Sequence, residues 1–243
     1  MPPFARASDL DRILRCTGSL SLVTLRGPDK TEKSQGLIEA GNWGTDMHTV
    51  KETGEIPAHR VGYAPFMRKS QILRAARQDL WPDGAGKHEV SFAYDVLTQE
   101  VHVSYVQGKE AQDAWKAGHA ESCVTGTSDW VGWHLDMLHI DDLKTGHAEP
   151  NPESHQNMFY GLCASVVAGK DDVVLSSTHF PRYPVKGEPE RLWAGDTFFR
   201  QRRADFVAEL VAAHAVYARQ RRPSFATGPY QCAYCPVKEK CPV

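Results

Sequence analysis

Residues 123–146 read CVTGTSDWVGWHLDMLHIDDLKTG, and the fold depends on whether this stretch is extended or helical. Valine, threonine, tryptophan and isoleucine alternate with polar residues, which predicts two strands with a turn between them. In a strand, residues two apart share a face. Leu138, Ile140, Asp142 and Lys144 therefore point one way and Asp141 the other. The apolar pair anchors the strand in the core, and Asp142 and Lys144 emerge together at its end. Asp129, on the preceding strand, reaches the same place across the hairpin. Two carboxylates beside a lysine make a hard-oxygen site for Mg²⁺ or Mn²⁺, with an ammonium placed to orient or activate water. Asp141, facing away, is expected to tolerate substitution better than Asp142.

Working outward, HEVSFAYDV (88–96) and EVHVSYV (100–106) predict a further strand pair joined by a short turn. Upstream the period is helical. Ser8 is placed to cap a helix over DLDRILRC (9–16), a second helix runs from about Glu32 to Glu52, and PFMRKSQILRAARQDLW (65–81) predicts a third. Gly41, Gly44 and His48 share one face of the second helix, where glycine costs stability and so suggests close approach of another backbone or a ligand. Downstream, ESHQNMFYGLCASVVAG (153–169) predicts a helix closed by Gly169, then the strand DVVLSSTHF (172–180), and a last helix from about Thr197 to Gln220. This order predicts an α/β chain: a mixed sheet flanked by helices, with a helical N-terminal cover. Residues 1–243 read as a single domain, with a helical part over 1–84, a core over 85–180 and a C-terminal helix and tail over 181–243.

At 243 residues with a formal charge of −2, the chain has no global basic field, so a nucleic-acid partner must be held locally. No apolar run is long enough to span a bilayer, and MPPFARASDLDRILRC lacks the apolar middle of a secretory signal. A cytoplasmic protein without a membrane partner is the expectation. DGAGKHEV (83–90) contains Gly-Lys but lacks the leading glycine and the following Ser or Thr of a phosphate loop, and no motor motif appears elsewhere. Arg200, Arg202, Arg203, Arg219, Arg221 and Arg222 gather on and after the last helix, where they are candidates to track phosphates. Trp43 and Tyr160 are candidates to stack on unpaired bases.

Of six cysteines, Cys232, Cys235 and Cys241 fall in CAYCPVKEKC, three ligands of a tetrahedral site. Cys16, ending the first helix, is the candidate fourth. A three-plus-one cysteine set holds zinc or a 4Fe–4S cluster, and ligand count does not separate them. Cys123 and Cys163 lie outside the pattern and read as core residues.

Taken together, GTSDWVGW…LHIDDLKTG resembles the core of the PD-(D/E)XK nucleases, with Asp129 and Asp142 as the metal carboxylates and Lys144 as the lysine. QNMFY matches the Gln-x-x-x-Tyr motif of the RecB-like branch, carried onto Gln156 and Tyr160, and GTDMH resembles that branch's upstream Gly-x-x-x-His, carried onto His48. Glu89 opens a strand where this branch often has a glutamate. The N-terminal SDLDRILRCTGSL and the tail cysteines are similar to the iron–sulfur nucleases of the AddB type and of CRISPR adaptation, which favours a 4Fe–4S cluster on Cys16, Cys232, Cys235 and Cys241 over zinc.

The resemblance implies a restriction-endonuclease-like core closed by a cysteine-rich iron–sulfur clasp. It implies a Mg²⁺- or Mn²⁺-dependent deoxyribonuclease, an exonuclease on single-stranded or frayed DNA. His48, Asp129 and Asp142 hold the metal, helped by the carbonyl of Leu143; Lys144 orients water, and Gln156 and Tyr160 position the strand or the lysine. Recombination, repair, a phage or mobile-element setting and CRISPR-type adaptation, with their protein partners, are the contexts it implies. The alternative is a non-catalytic nucleic-acid-binding or adaptor protein that keeps the fold.

Overall fold

The structure is a computed structural model and describes residues 3–17, 19, 35–68, 87–134, 137–146, 149–180, 191–198, 200–219 and 241. Its strands are β1 (Ala5–Arg6), β2 (Lys87–Asp95), β3 (Val101–Ser104), β4 (Cys123–His134), β5 (Met137–Lys144), β6 (Val173–His179) and β7 (Arg191–Thr197). The helices are α1 (Leu10–Arg15), α2 (Gln35–Thr53), α3 (Lys109–Ala117), α4 (His155–Ala168) and α5 (Arg200–Tyr217). One mixed sheet runs in the order β3-β2-β4-β5-β6-β7, with β1 added in parallel to β4. The β3-β2-β4-β5 portion is antiparallel, β5 and β6 are parallel, and β6 and β7 are antiparallel.

A parallel pair needs a crossover, and α4 supplies it between β5 and β6. Its start is fixed by Ser154, whose side chain accepts the Asn157 N–H, and its end by Gly169 in the left-handed region at φ 63°. Phe159, Leu162 and Cys163 of α4 pack with Leu10 and Ile13 of α1, Phe92 of β2, Ile140 of β5, Leu175 of β6 and Leu210 of α5 in the main core. Leu143, of opposite parity to Ile140, belongs to a second core with Trp43, Met47 and Val50 of α2, Met67 and Phe180. The strand that ends in Asp142 and Lys144 is thus gripped from both faces.

Several elements differ from the sequence expectation. The chain enters α1 through a 3₁₀ turn at Ala7–Asp9, and no side chain caps either segment, Ser8 included. The expected third helix is described only to residue 68. Helix α3 was not expected: KEAQDAWKA faces the sheet with Gln112, whose Nε2 donates to Glu89 Oε2 at 2.7 Å, so no apolar stripe announces it. Strand β7 went unforeseen for a similar reason, since RLWAGDT has little alternation to read. Among the described residues no helix is long and apolar enough to cross a membrane.

Candidate active site

On the α4 face of the sheet, the end of β5 presents Asp142 and Lys144. Asp142 is buried and Lys144 half-buried, and the Lys144 ammonium meets Asp142 Oδ2 as an ion pair. Lys144 Nζ also donates to Gln156 Oε1 at 2.9 Å, and Gln156 Nε2 donates to the Tyr160 hydroxyl at 3.0 Å. Gln156 and Tyr160 lie one helical turn apart and so line one side of α4. Gly126 makes the room: a Cβ there would fall 2.9 Å from Tyr160 Cε1 and 2.6 Å from Ala7 Cβ.

Asp129 approaches from β4. The β4–β5 pairing ends at Trp130↔Asp141, and one step beyond it Asp129 Oδ2 accepts the Leu143 N–H that the ladder leaves over. In a strand the N–H and C=O of one residue point to the same edge, so the Leu143 carbonyl also looks toward Asp129. The other oxygen, Asp129 Oδ1, lies 3.5 Å from His48 Nδ1. His48 arrives on α2, whose Gly44 lets the helix close on the loop after β5: a Cβ there would be 3.1 Å from Thr145 Oγ1. Gly41 meets nothing within 4 Å, so close contact does not explain that glycine. His179, at the end of β6, fixes the same loop through Nε2 to the Gly146 carbonyl at 2.8 Å. Sequence reading missed His179, which carries no motif of its own.

Burial raises the Asp142 carboxyl to about 6, with Lys144 opposing the shift and Asp129 and Asp141 adding to it. Burial, then the Asp142 charge, also lifts the Tyr160 hydroxyl well above its ordinary range, so it stays protonated. The donors gathered here are two carboxylates, an imidazole and a carbonyl, which is the chemistry a Mg²⁺ or Mn²⁺ ion takes. Burial and the neighbouring Asp129 disfavour the charged form of Asp142, and a cation bound between the two carboxylates would favour it. As they stand, no three His, Cys, Asp or Glu side chains among the described residues converge tightly enough to grip an ion; Asp142 is engaged by Lys144 and Asp129 by the Leu143 N–H.

Other sequence expectations fare differently. Asp141 does face away, but into the protein: it is 3% exposed and accepts from Ser176 Oγ at 3.1 Å and from Thr178 Oγ1 at 3.0 Å, so it is not the tolerant position expected. Trp43 and Tyr160 are 1% and 2% exposed, which removes both as stacking platforms for bases. Arg200 and Arg203 pair with Asp171, and Arg202 with Glu153, so these arginines tie α5 to neighbouring elements. Arg221 and Arg222 lie outside the described residues. Glu89 sits between the β2–β4 pairs His88↔Trp130 and Val90↔Ser128, hence opposite Asp129, with φ at 52°. Its carboxylate is taken by Gln112.

Cys123 and Cys163 are buried, as expected of core residues. Cys16 caps the C-terminal end of α1 and is half-buried, as is Cys241; Cys232 and Cys235 lie outside the described residues.

The family model described as the PD-(D/E)XK nuclease superfamily matches residues 7–242. Among solved structures, a protein from Eubacterium rectale described as "Putative exonuclease" is similar at TM-score 0.50 and 12% identity, over 99% of this chain and 88% of that one. A looser likeness, TM-score 0.38 at 14% identity, is to SSO0001, over 98% of this chain and 84% of that one. No curated protein matches.

Proposed function

The chain belongs to the PD-(D/E)XK nuclease superfamily, and on that premise we propose that it is a metal-dependent deoxyribonuclease that removes nucleotides from single-stranded or frayed DNA ends. The observation that carries the reading is the fixed Lys144 ammonium, set between Asp142 and the Gln156–Tyr160 pair at the point where β4, β5 and α2 converge. His48, Asp129, Asp142 and the Leu143 carbonyl are the residues to hold Mg²⁺ or Mn²⁺. The chemistry supplied on binding is charge neutralisation at the scissile phosphate and acidification of a water. An ammonium has three donors. Lys144 pairs with Asp142 and donates to Gln156, and its ammonium is the group to meet the attacking water or a phosphate oxygen. Tyr160, kept protonated by burial, holds Gln156 rather than titrating.

The description of the Eubacterium rectale protein as a "Putative exonuclease" supports end-directed cutting. The RecB-like iron–sulfur branch is part of the same proposal: Cys16, Cys232, Cys235 and Cys241 hold a 4Fe–4S cluster that closes a single domain, its helical part over 1–84 and its tail over 181–243 clasped around the core. Cytoplasmic recombination, repair or CRISPR-type adaptation is the proposed setting. The rival, a non-catalytic nucleic-acid-binding protein, is favoured by one observation: among the described residues no three metal-ligating side chains converge.

The test is digestion of linear single-stranded, linear duplex and covalently closed circular DNA with Mn²⁺. Degradation of linear substrates, sparing of the closed circle and arrest by a chelator are expected. No degradation supports the rival; cutting of closed circles contradicts an end-directed enzyme.

A further inference from the structure

Gln156 is the second residue of α4, so the placement of Lys144 depends on how the start of that helix is held. Its first residue, His155, is bound by a side chain far away in sequence: Asp11 Oδ1 lies 2.6 Å from His155 Nδ1 and accepts the His155 backbone N–H at 3.3 Å. One carboxylate on α1 therefore fixes both the main chain and the ring at the mouth of α4. Its charge also suits a helix N-terminus, where unpaired N–H groups leave a partial positive charge. The ring is seated from the other side by α5, with Phe206 stacked at 6.2 Å and Glu209 Oε2 at 3.9 Å from Nε2. Although burial opposes it, the His155 contacts hold the Asp11 carboxyl below its ordinary range.

The same N-terminal segment forms the back wall of the site. Phe4 N–H bonds the Cys123 carbonyl, Ala5 and Arg6 pair with Val124 and Thr125, and Ala7 is the neighbour that Gly126 must clear beside Tyr160. The segment pairs with β4 and not with β5, so Asp11 reaches Gln156 through α4 rather than through the strand that carries Asp142 and Lys144.

We propose that Asp11 is a positioning residue of the active site: through His155 it fixes the start of α4, and so the Gln156 amide that holds Lys144. The proposal rests on the nuclease reading for its catalytic consequence, and on geometry alone for its structural one. An interaction made at one remove from the chemistry, through a displacement of about 1 Å, acts on kcat by roughly ten to a hundredfold.

The experiment compares wild type with Asp11→Ala, Asp11→Asn, His155→Ala and the Asp11→Ala/His155→Ala double variant. Two readouts are taken well below each melting temperature: kcat and KM for Mn²⁺-dependent degradation of linear single-stranded DNA, and the NMR signals of the Gln156 side-chain amide. Arg203→Ala, which removes one of the two α5 arginines paired with Asp171, serves as a stability control. Asp11→Ala is expected to lower kcat ten- to a hundredfold with KM within about twofold. The Gln156 signals should move in Asp11→Ala and return in Asp11→Asn, which keeps an acceptor. The double variant should be no worse than either single one. Unmoved Gln156 signals in folded Asp11→Ala or His155→Ala overturn the proposal. If no protein degrades DNA while the Gln156 signals still move and are rescued, the nuclease reading falls and the positioning role stands. Should Asp11→Ala fail to fold, His155→Ala carries the comparison, because alanine is well tolerated in a helix.

Discussion

Asp142 and Asp141 are neighbours in sequence with opposite electrostatic fates. Burial holds the Asp142 carboxyl up at about 6 against an ordinary 3.8, so between those values the folded chain keeps a proton that the unfolded chain releases. Its contribution to stability is therefore complete below about 3.8 and lost as pH rises through about 6. Metal-free Asp142→Asn should be more stable than wild type at pH 8, with the difference vanishing near pH 4; melting curves across that range check it. A difference that grows toward acid pH contradicts the assignment. Asp141 instead accepts hydrogen bonds from Ser176 and Thr178 on β6, and Asp141→Ala removes this shared buried acceptor, while Ser176 Oγ keeps the Ile140 carbonyl. A loss of about 2 kcal/mol in denaturant unfolding is expected, the scale of a buried hydrogen-bonding group stripped of its partner. The alternation of LHIDDLK reveals which way Asp141 faces. It does not reveal what covers that face, because the parallel pairing of β5 with β6 is set by residues more than thirty positions downstream.

At the scale of elements, the β4–β5 hairpin and α4 were legible because their signals are local: alternation, a Ser N-cap, a terminal glycine. Helix α3 was not legible, since its inward face carries Gln112 and Lys116 and its partners Glu89 and Thr127 are polar too. The role of Gly126 lies between these cases. It stands in the quoted GTSDW stretch, yet only the packing of the 3₁₀ turn and α4 against β4 shows why a side chain is barred there. Gly126→Ala is expected to cost about 2 kcal/mol through overpacking against Ala7 and Tyr160. It should also lower Mn²⁺-dependent DNA degradation at temperatures where the variant is fully folded. Unchanged activity would separate Tyr160 placement from catalysis.

For the whole molecule, the sheet brings together residues from three distant parts of the chain, His48 from α2, Asp129 and Asp142 from the central hairpin, and Gln156 from the crossover helix. Their order along the sequence was readable; their distances were not, because these depend on where α2 docks through Trp43, Met47 and Leu143. The proposed cysteine clasp belongs to this scale as well. Anaerobically purified protein is expected to be brown, and Cys235→Ala colourless and less soluble. A colourless wild type with stoichiometric zinc would refute the cluster and spare the nuclease.

On the proposed function the carboxylates bind the metal while Lys144 acts in the chemistry, and one paired measurement separates those roles. Mn²⁺ titration by calorimetry, run beside degradation of linear single-stranded DNA, is applied to wild type, Asp142→Ala and Lys144→Ala. Asp142→Ala should lose both Mn²⁺ binding and degradation, while Lys144→Ala keeps Mn²⁺ binding and loses degradation. Wild-type degradation by Lys144→Ala, or intact Mn²⁺ binding by Asp142→Ala, would contradict the account.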